Sequence, residues 1–392
     1  MVLNVPWRIV PRIHMLILSN SDVERLISIG EAIEALRISN REVAEFKYNT
    51  RYRLNRSRTN YYLPWQNLGS ADAGAADHVV DESDSSIYYN FKSMEGGSPH
   101  FGVWALRSSS DLVRLRSGAY GPTHTYMRYG DLPGGKGYSD LIFLYNIHDA
   151  QFEAIIQAAT LQGIRVAATS ALGTDYLCRP DVRRAGLFGS GWQATANLRA
   201  LLCVRPSIDH VKVFSPNPDN RKRFAARMCK ELAIDVQPAS SPEEAVRGME
   251  VIYEASSART PVFDGDLIEE GQHIMSVGAG DEHFERRLID PKAVARCSIV
   301  GVHSLEVKFG LEEIVDCLDE GTLDKNKVVD LPDLVTGKVV PAISDHSISF
   351  FKNNVGLGSQ FASVGGLVLQ KARAQQVGVE VPQKYVSQVM VR

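Results

Sequence analysis

A glycine-rich loop in the middle of the chain has the residue types and spacing that bind a phosphate-bearing cofactor. Its members follow a short apolar stretch and precede a stretch of helical spacing; they are Gly189-Ser190-Gly191-Trp192-Gln193-Ala194. Gly189 permits a tight turn, Gly191 lets the backbone approach a pyrophosphate, and Ala194 allows close packing between helix and strand. The helix N-terminus adds unpaired N–H groups and the positive end of the helix dipole. The loop therefore predicts a dinucleotide site, with an ordinary glycine-rich turn as the alternative.

The next strand of this unit, predicted at 211–214, bears on which dinucleotide is bound. A site for NAD usually has an acidic residue at the tip of this strand, where it bonds the ribose 2′-hydroxyl. The tip of the strand has no acidic residue here, and Asp209 lies at the other end, before the strand. The groups that follow can donate hydrogen bonds to a 2′-phosphate or carry positive charge; they are Ser215, Asn217 and Arg221. The sequence favours NADP(H) over NAD(H), unless Asp219 folds back to the ribose or Arg221 only solvates a helix.

Composition excludes several other classes of protein. The chain has 392 residues and is 44% hydrophobic, which is enough for a buried core and for two domains. A net charge of −3 gives no attraction to nucleic acid or to an anionic membrane. The five cysteines are widely spaced without a C-x-x-C pair, which argues against disulfides or a zinc site and fits a reducing cytoplasm. We also find no apolar run long enough for a bilayer and no convincing signal peptide, so we expect a soluble cytoplasmic protein.

Alternating strands and helices must position the loop. From residue 185 onward this alternation is typical of a parallel sheet in an α/β protein. Strands are predicted at 185–188, 211–214, 251–254, 274–277 and 299–302, and helices at 192–203, 220–232 and 242–247. Earlier in the chain we predict one helix over 22–47 with Ser21 as its N-cap, strands within 87–106, and paired strands at 141–145 and 152–159.

Two segments together resemble the ornithine cyclodeaminase/mu-crystallin family. Residues 163–172 (G-I-R-V-A-A-T-S-A-L) are similar to the family's R-T-A-A-T-S-A-L stretch, and the loop is similar to its G-x-G-x-Q-A motif. Further matches are Phe91-Lys92-Ser93, Thr260-Pro261-Val262-Phe263, and Gly271-Gln272-His273-Ile274 with Val277-Gly278-Ala279. The resemblance implies a central Rossmann-type dinucleotide domain, 169–325. It also implies an α+β substrate and dimerisation domain built from both chain ends, 1–168 and 326–392. A homodimer acting on small amino or imino acids is expected.

The resemblance also implies roles for single residues. Arg165 corresponds to the arginine that holds the substrate carboxylate by a two-pronged hydrogen bond, although it could be a structural arginine at a helix start. Lys92 corresponds to the lysine near the reacting carbon, which can polarise an imine or deliver a proton; alone it would suit a surface lysine. A second carboxylate-binding arginine is expected at Arg58, with Arg56 in reserve. Cofactor contacts are further expected from Thr169, Val277 and Gly278.

The general acid/base is the least defined role. Cyclodeaminases of the family have a V-G-G-D aspartate at the strand end, whereas this chain has Val277-Gly278-Ala279-Gly280-Asp281. Asp281 either keeps this role after a one-residue insertion or caps a following helix instead. Residues 350–356 resemble the family's f-K-S-x-G loop over the cofactor, but the E-D that normally follows is Ser359-Gln360. His283 and His303 are spare titratable groups, and no metal site is indicated.

These observations predict an NADP(H)-dependent oxidoreductase that acts at the carbon next to the carboxylate of a small α-amino, α-imino or keto acid. An NAD-dependent cyclodeaminase and a non-catalytic NADPH-binding protein, which the mu-crystallin resemblance permits, remain as alternatives. The arginines and tyrosines of 48–62 could instead form a nucleic-acid patch, but the acidic loop after them argues against it. We expect the extra length in 69–86 and 108–139 to shape substrate specificity.

Overall fold

Two eight-stranded sheets position the predicted site residues. The computed structural model describes residues 14–47, 59–64, 87–118, 121–126, 139–278, 285–307 and 309–388. The strands within these ranges are β1 (His14–Leu18), β2 (Thr59–Pro64), β3 (Ile87–Ser98), β4 (Val103–Gly118), β5 (Gly121–Tyr126), β6 (Ser139–Asn146), β7 (Phe152–Gln157), β8 (Arg184–Phe188), β9 (His210–Phe214), β10 (Asp235–Pro238), β11 (Val251–Glu254), β12 (His273–Ser276), β13 (Ile299–Val302), β14 (Val328–Asp330), β15 (Ser349–Lys352) and β16 (Val379–Pro382).

The helices within the same ranges have 5 to 20 residues, and the three longest pack against one another. They are α1 (Asn20–Leu26), α2 (Ile29–Lys47), α3 (Ala158–Leu177), α4 (Trp192–Val204), α5 (Pro218–Leu232), α6 (Pro291–Ala295), α7 (Glu312–Asp319), α8 (Leu331–Val335) and α9 (Gly358–Gln375). Short 3₁₀ turns occur at Glu243–Ala245, Gly265–Leu267, Lys325–Lys327 and Gln383–Tyr385. None of these helices is both long and apolar enough to cross a bilayer.

The first sheet is mainly antiparallel and has the strand order β16-β1-β7-β6-β4-β3-β2, with β5 paired to β4. Side chains of β3 and β4 alternate between a buried and a half-buried face, as the period of two in a strand requires. Helix α9 packs against β3 and β4 on the buried face. A Cβ on Gly358 would lie within 2 Å of the backbone of Glu95, so only glycine permits this close approach.

The second sheet is entirely parallel, in the order β10-β9-β8-β11-β12-β15-β13-β14. Its central strands β11, β12 and β15 are buried at every position, because helices and loops cover both faces. The unit β8-α4-β9 carries the glycine-rich loop between strand and helix. This arrangement confirms the predicted α/β class and the Rossmann-type unit.

Most of the predicted strands are present, but several element boundaries were wrong. The single helix over 22–47 is two helices, α1 and α2. Ser19, not Ser21, caps α1: its hydroxyl accepts from the N–H of Asp22, whose carboxylate accepts from the N–H of Ser19. Ser28 then starts α2 with a reciprocal pair to Glu31. Two caps so close together favour a break over a continuous helix. The strand predicted at 152–159 ends at residue 157, and α3 begins at the next residue.

The predicted boundary at residue 326 does not coincide with the point where the chain leaves the second sheet. Strands β14 and β15 follow that boundary, yet both pair within the second sheet, and β15 lies between β12 and β13. Its residues Phe350 and Phe351 are both fully buried, because a central parallel strand needs apolar side chains on both faces. The chain therefore leaves the second sheet after residue 352, and α9 then packs against the first sheet.

Candidate functional site

The glycine-rich loop has the backbone geometry that the motif requires. Gly189 has φ +113°, and a Cβ there would lie 2.4 Å from the carbonyl oxygen of Ala255. Gly191 is the N-cap of α4, has no side-chain cap, and a Cβ there would meet nothing within 4 Å. Ala194 is fully buried against the sheet. The open space at this uncapped helix N-terminus fits a pyrophosphate bound by backbone N–H groups.

The tip of β9 brings the residues predicted to read the cofactor ribose together. Ser190 donates a hydrogen bond to the hydroxyl of Ser215 over 3.0 Å. Arg221 donates to the carbonyl oxygen of Ser215 over 2.9 Å, and its guanidinium lies 5.3 Å from the centre of the Phe214 ring. The side-chain oxygen of Asn217 accepts from two N–H groups at the start of α5, so only its NH₂ group stays available. A fixed positive charge therefore stands at the strand tip.

Arg165 lies within α3, not at a helix start, and is 3% exposed. Its guanidinium donates two hydrogen bonds to the side-chain oxygen of Gln162, over 3.1 and 2.8 Å, and one to that of Gln360, over 3.1 Å. The guanidinium carbon of Arg165 lies 4.9 Å from the centre of the Phe361 ring. Gln360 also donates to the hydroxyl of Thr169. Two neutral amides and an aromatic ring thus orient a buried cation, and the departure from the family's E-D pair falls at this contact.

The loop after β15 is fastened to α3 and to the end of β13. Asn353 donates to the carbonyl oxygen of Val166 over 3.0 Å, and Asn354 donates to that of Ser304 over the same distance. His303, expected as a spare titratable group, is 1% exposed and donates from Nδ1 to the carbonyl oxygen of Val355. Burial lowers the pKa of His303 to about 4, so the ring is neutral at physiological pH. His303 positions the loop.

Lys92 lies on the buried face of β3 and is 7% exposed. In the strand register it stands opposite Ser109 of β4. Along the same face, Arg107 makes two hydrogen bonds of 2.8 Å to Asp140, and its guanidinium lies 5.7 Å from the centre of the Phe361 ring. Because Arg165 packs on the same ring, Phe361 links the face that carries Lys92 to α3. The structure thus places both predicted functional groups around the start of α9.

A buried polar network at the carboxyl ends of β11, β12 and β15 was missed by sequence reasoning. Lys352 donates to Glu313 over 2.6 Å and reaches the hydroxyl of Ser276 at 3.4 Å, and that hydroxyl donates to Glu254 over 3.0 Å. The side chains of Lys352 and Glu313 are both completely buried. Burial raises the pKa of Glu313, and the charge of Lys352 opposes that rise. A lysine at the end of a short apolar strand was the available signal.

The remaining predicted site residues fall into two groups. Arg56, Arg58 and Asp281 lie outside the described residues, as does His283. The others are close to the loop or to the end of β12. Near the loop, Trp192 is half-exposed with its ring against Gly163, and Gln193 accepts a hydrogen bond from Asn197. At the end of β12, the N–H of Val277 donates to the carbonyl oxygen of Glu254, and Gly278 has no room for a Cβ beside Leu288. Within the described part of the chain, no cluster of His, Cys, Asp or Glu could hold a metal ion.

The fold and this loop define an α/β protein with the strand–loop–helix unit that is typical of a dinucleotide site. Residues 136–376 match the model of the ornithine cyclodeaminase/mu-crystallin family, and the chain belongs to that family.

Individual relatives agree with this assignment. A solved structure of Δ1-pyrroline-2-carboxylate reductase from Thermococcus litoralis, in complex with NADH and L-proline, is 27% identical and superposes with a TM-score of 0.72 over 94% of this chain and 100% of that chain. The Δ1-pyrroline-2-carboxylate reductase of Bacillus cereus ATCC 14579 is 26% identical over 249 residues, 62% of this chain and 74% of its own length. An uncharacterised cyclodeaminase of Sinorhizobium fredii is 25% identical over 56% of this chain, and the match spans 65% of that relative.

Proposed function

We propose that this protein is a nicotinamide-dependent oxidoreductase that reduces a small α-imino acid, or a keto acid with an amine, at the carbon next to the carboxylate. The observation that carries the proposal is the buried guanidinium of Arg165, oriented by Gln162 and Gln360 within a fold that also carries the glycine-rich loop. A buried arginine fork is suited to holding a carboxylate in one orientation. Relatives that act on pyrroline-2-carboxylate support this substrate class.

Each candidate residue of the site has a separate role in the proposed reaction. The loop from Gly189 to Ala194 would hold the pyrophosphate of the dinucleotide, which supplies a hydride when bound. Arg165 would bind the substrate carboxylate and orient the adjacent carbon. Lys92 would polarise the imine and give a proton to its nitrogen. Hydride and proton together reduce the C=N bond to an amine.

Several wider expectations belong to the same proposal. We propose a homodimer with a small-molecule substrate and without a nucleic-acid partner. The five cysteines all carry free thiols, which supports a reducing cytoplasmic location. For the second carboxylate contact we keep Arg58, with Arg56 in reserve, and for a further acid/base we keep Asp281.

A spectrophotometric screen tests the reaction itself. NADPH and NADH are each mixed with the full-length protein and with Δ1-pyrroline-2-carboxylate, or with small keto acids plus ammonia or methylamine. We expect substrate-dependent oxidation of the reduced cofactor. Ammonia release from ornithine without net cofactor oxidation would replace the proposal with a cyclodeaminase. Tight NADPH binding without turnover on the whole panel would replace it with a binding protein.

We further propose that NADPH is preferred over NADH, because Arg221 holds a positive charge at the tip of β9. Arg221→Ala is expected to lower the NADPH-to-NADH ratio of kcat/KM by about 10-fold, since one charge-assisted contact to a 2′-phosphate is lost. Arg223 is a matched control on the same helix, because its guanidinium donates a hydrogen bond to the side-chain oxygen of Asn220. An unchanged ratio in Arg221→Ala, or an equal fall in Arg223→Ala, would contradict the preference.

A further inference from the structure

The buried face of the first sheet changes character along β3 and β4. At one end Met94, Val103 and Ala105 pack apolar side chains beneath α9. At the other end the buried positions whose side chains the structure describes are all polar; these positions are Asn90, Lys92, Arg107, Ser109 and Asp111. Buried polar side chains are normally satisfied by hydrogen bonds, because an unmet group costs about 1–3 kcal/mol. If every polar group in this cluster has a hydrogen-bond partner, the cluster only stabilises the fold; groups without a partner indicate a binding site.

The cluster is only partly satisfied. Arg107 and Asp140 pair through two hydrogen bonds, as a structural ion pair would. Asn90 donates from Nδ2 to Asp111 over 2.8 Å, and a carboxylate acceptor fixes which end of the amide is nitrogen. The Oδ1 atom of Asn90 and the Oγ atom of Ser109 have no hydrogen-bond partner among the described residues. These side chains are 0% and 2% exposed.

The unmet atoms share one chemistry. Oδ1 of Asn90 can only accept a hydrogen bond, and the hydroxyl of Ser109 can accept or donate one. The carboxylate of Asp111, which accepts from Asn90, lies beside them as a further acceptor. We call Asn90, Ser109 and Asp111 the acceptor patch. Strand register puts Asn90 opposite Asp111 and Lys92 opposite Ser109, and facing residues have Cβ atoms about 5 Å apart. The patch therefore adjoins Lys92, the lysine proposed to act at the reacting carbon.

The charges around the patch indicate that the group it binds is neutral. Burial raises the pKa of Asp111, and the charge of Lys92 with the hydrogen bond from Asn90 opposes that rise. The lysine thus already compensates the carboxylate, and Arg107 is paired with Asp140. A second cation at the patch would carry a desolvation cost without a new counter-charge. A neutral hydrogen-bond donor, such as a hydroxyl group, can bind the acceptors of the patch without the desolvation cost of a cation.

We propose that the acceptor patch binds a hydroxyl group on the carbon chain of the substrate, so that hydroxylated α-imino acids are preferred over unsubstituted ones. This inference rests on the proposed function for the position of Lys92 beside the reacting carbon. A site built to bond a substrate hydroxyl discriminates against the analogue that lacks it, because buried polar groups are then left unpaired. The patch would set specificity and would take no part in hydride transfer.

Paired ligands test the preference by binding, separately from turnover. Isothermal titration on the full-length protein with NADPH compares L-proline with its ring-hydroxylated isomers, and L-alanine with L-serine. At least one hydroxylated ligand is expected to bind about 10-fold more tightly than its plain counterpart, as one good hydrogen bond provides. Ser109→Ala should reduce this ratio to below about twofold. Its melting temperature should not fall, because the deleted hydroxyl has no partner among the described residues.

Ser108 provides the matched control, because it is the preceding serine of β4 and its side chain lies on the opposite, half-buried face. Ser108→Ala should keep the full preference. The inference is overturned if no hydroxylated ligand binds more tightly than its counterpart, if ornithine is the ligand favoured over both pairs, or if Ser109→Ala keeps the preference. Cofactor oxidation in the screen described above is a separate readout. A hydroxyl preference without turnover would sink the proposed reaction and keep the patch.

Discussion

Arg165→Ala is expected to lower kcat/KM for the imine substrate by about 100-fold or more, with a raised KM. The guanidinium is buried and oriented by two glutamines, so its loss removes the group proposed to hold the carboxylate in line for hydride transfer. Arg165→Lys keeps the charge but loses the two-pronged geometry, and should recover only part of the activity. Steady-state kinetics measure the effect. Wild-type kcat/KM in a folded Arg165→Ala protein would remove Arg165 from the site.

Gly356 offers a way to displace Arg165 without deleting it. A Cβ at this position would lie 2.7 Å from one guanidinium nitrogen of Arg165, and the flexible end of the arginine can move away. Gly356→Ala should therefore lower kcat/KM by about 10-fold, since a misplacement near 1 Å is costly in a positioned site. Gly30→Ala is the control, because a Cβ there would meet nothing within 4 Å. A circular-dichroism melt of each variant separates misplacement from unfolding.

Lys352→Met is expected to lower the free energy of unfolding by about 3–5 kcal/mol, because it leaves Glu313 buried without its counter-charge. Replacing both partners, in Lys352→Met with Glu313→Leu, should recover most of that loss, since no charge is then left buried. Urea unfolding monitored by fluorescence measures each difference. The exposed pair of Arg247 and Glu243 is the contrast, and Arg247→Met should leave the unfolding midpoint nearly unchanged. A double variant no more stable than the single one would contradict this account.

The loss in Lys352→Met should depend on pH. Glu313 has a raised pKa in the folded protein, and removing the lysine raises it further, because the cation is the group that favours the carboxylate. The folded state then binds more protons than the unfolded state, so stability falls as pH rises above the unfolded value of about 4.3. The variant should be closest to wild type near pH 4 and furthest from it near pH 8. A pH-independent difference would show that Glu313 does not titrate in this way.

The dinucleotide unit could be predicted from the sequence because its signals are local. The loop motif and the alternating strands near 185–302 depend on residues adjacent in the chain, and the structure confirms them. The helix at 22–47 failed for a local reason too, since the cap at Ser28 was not recognised. The strand at Ser349–Lys352 was not predicted, and the reason is non-local. Its place between β12 and β13 requires pairing with segments far away in the chain.

The candidate site shows the same division. The sequence by itself determined the family, and it predicted the glycine-rich loop, Lys92 and Arg165 as parts of the site, because these lie in short motifs. Only the tertiary structure decided that Phe361 joins Arg107 to Arg165, that Lys352 pairs with Glu313, and that Asn90 and Ser109 have unmet polar atoms. Such contacts arise from helix packing and strand register between residues distant in the chain. Their energies depend on burial, which no local pattern records.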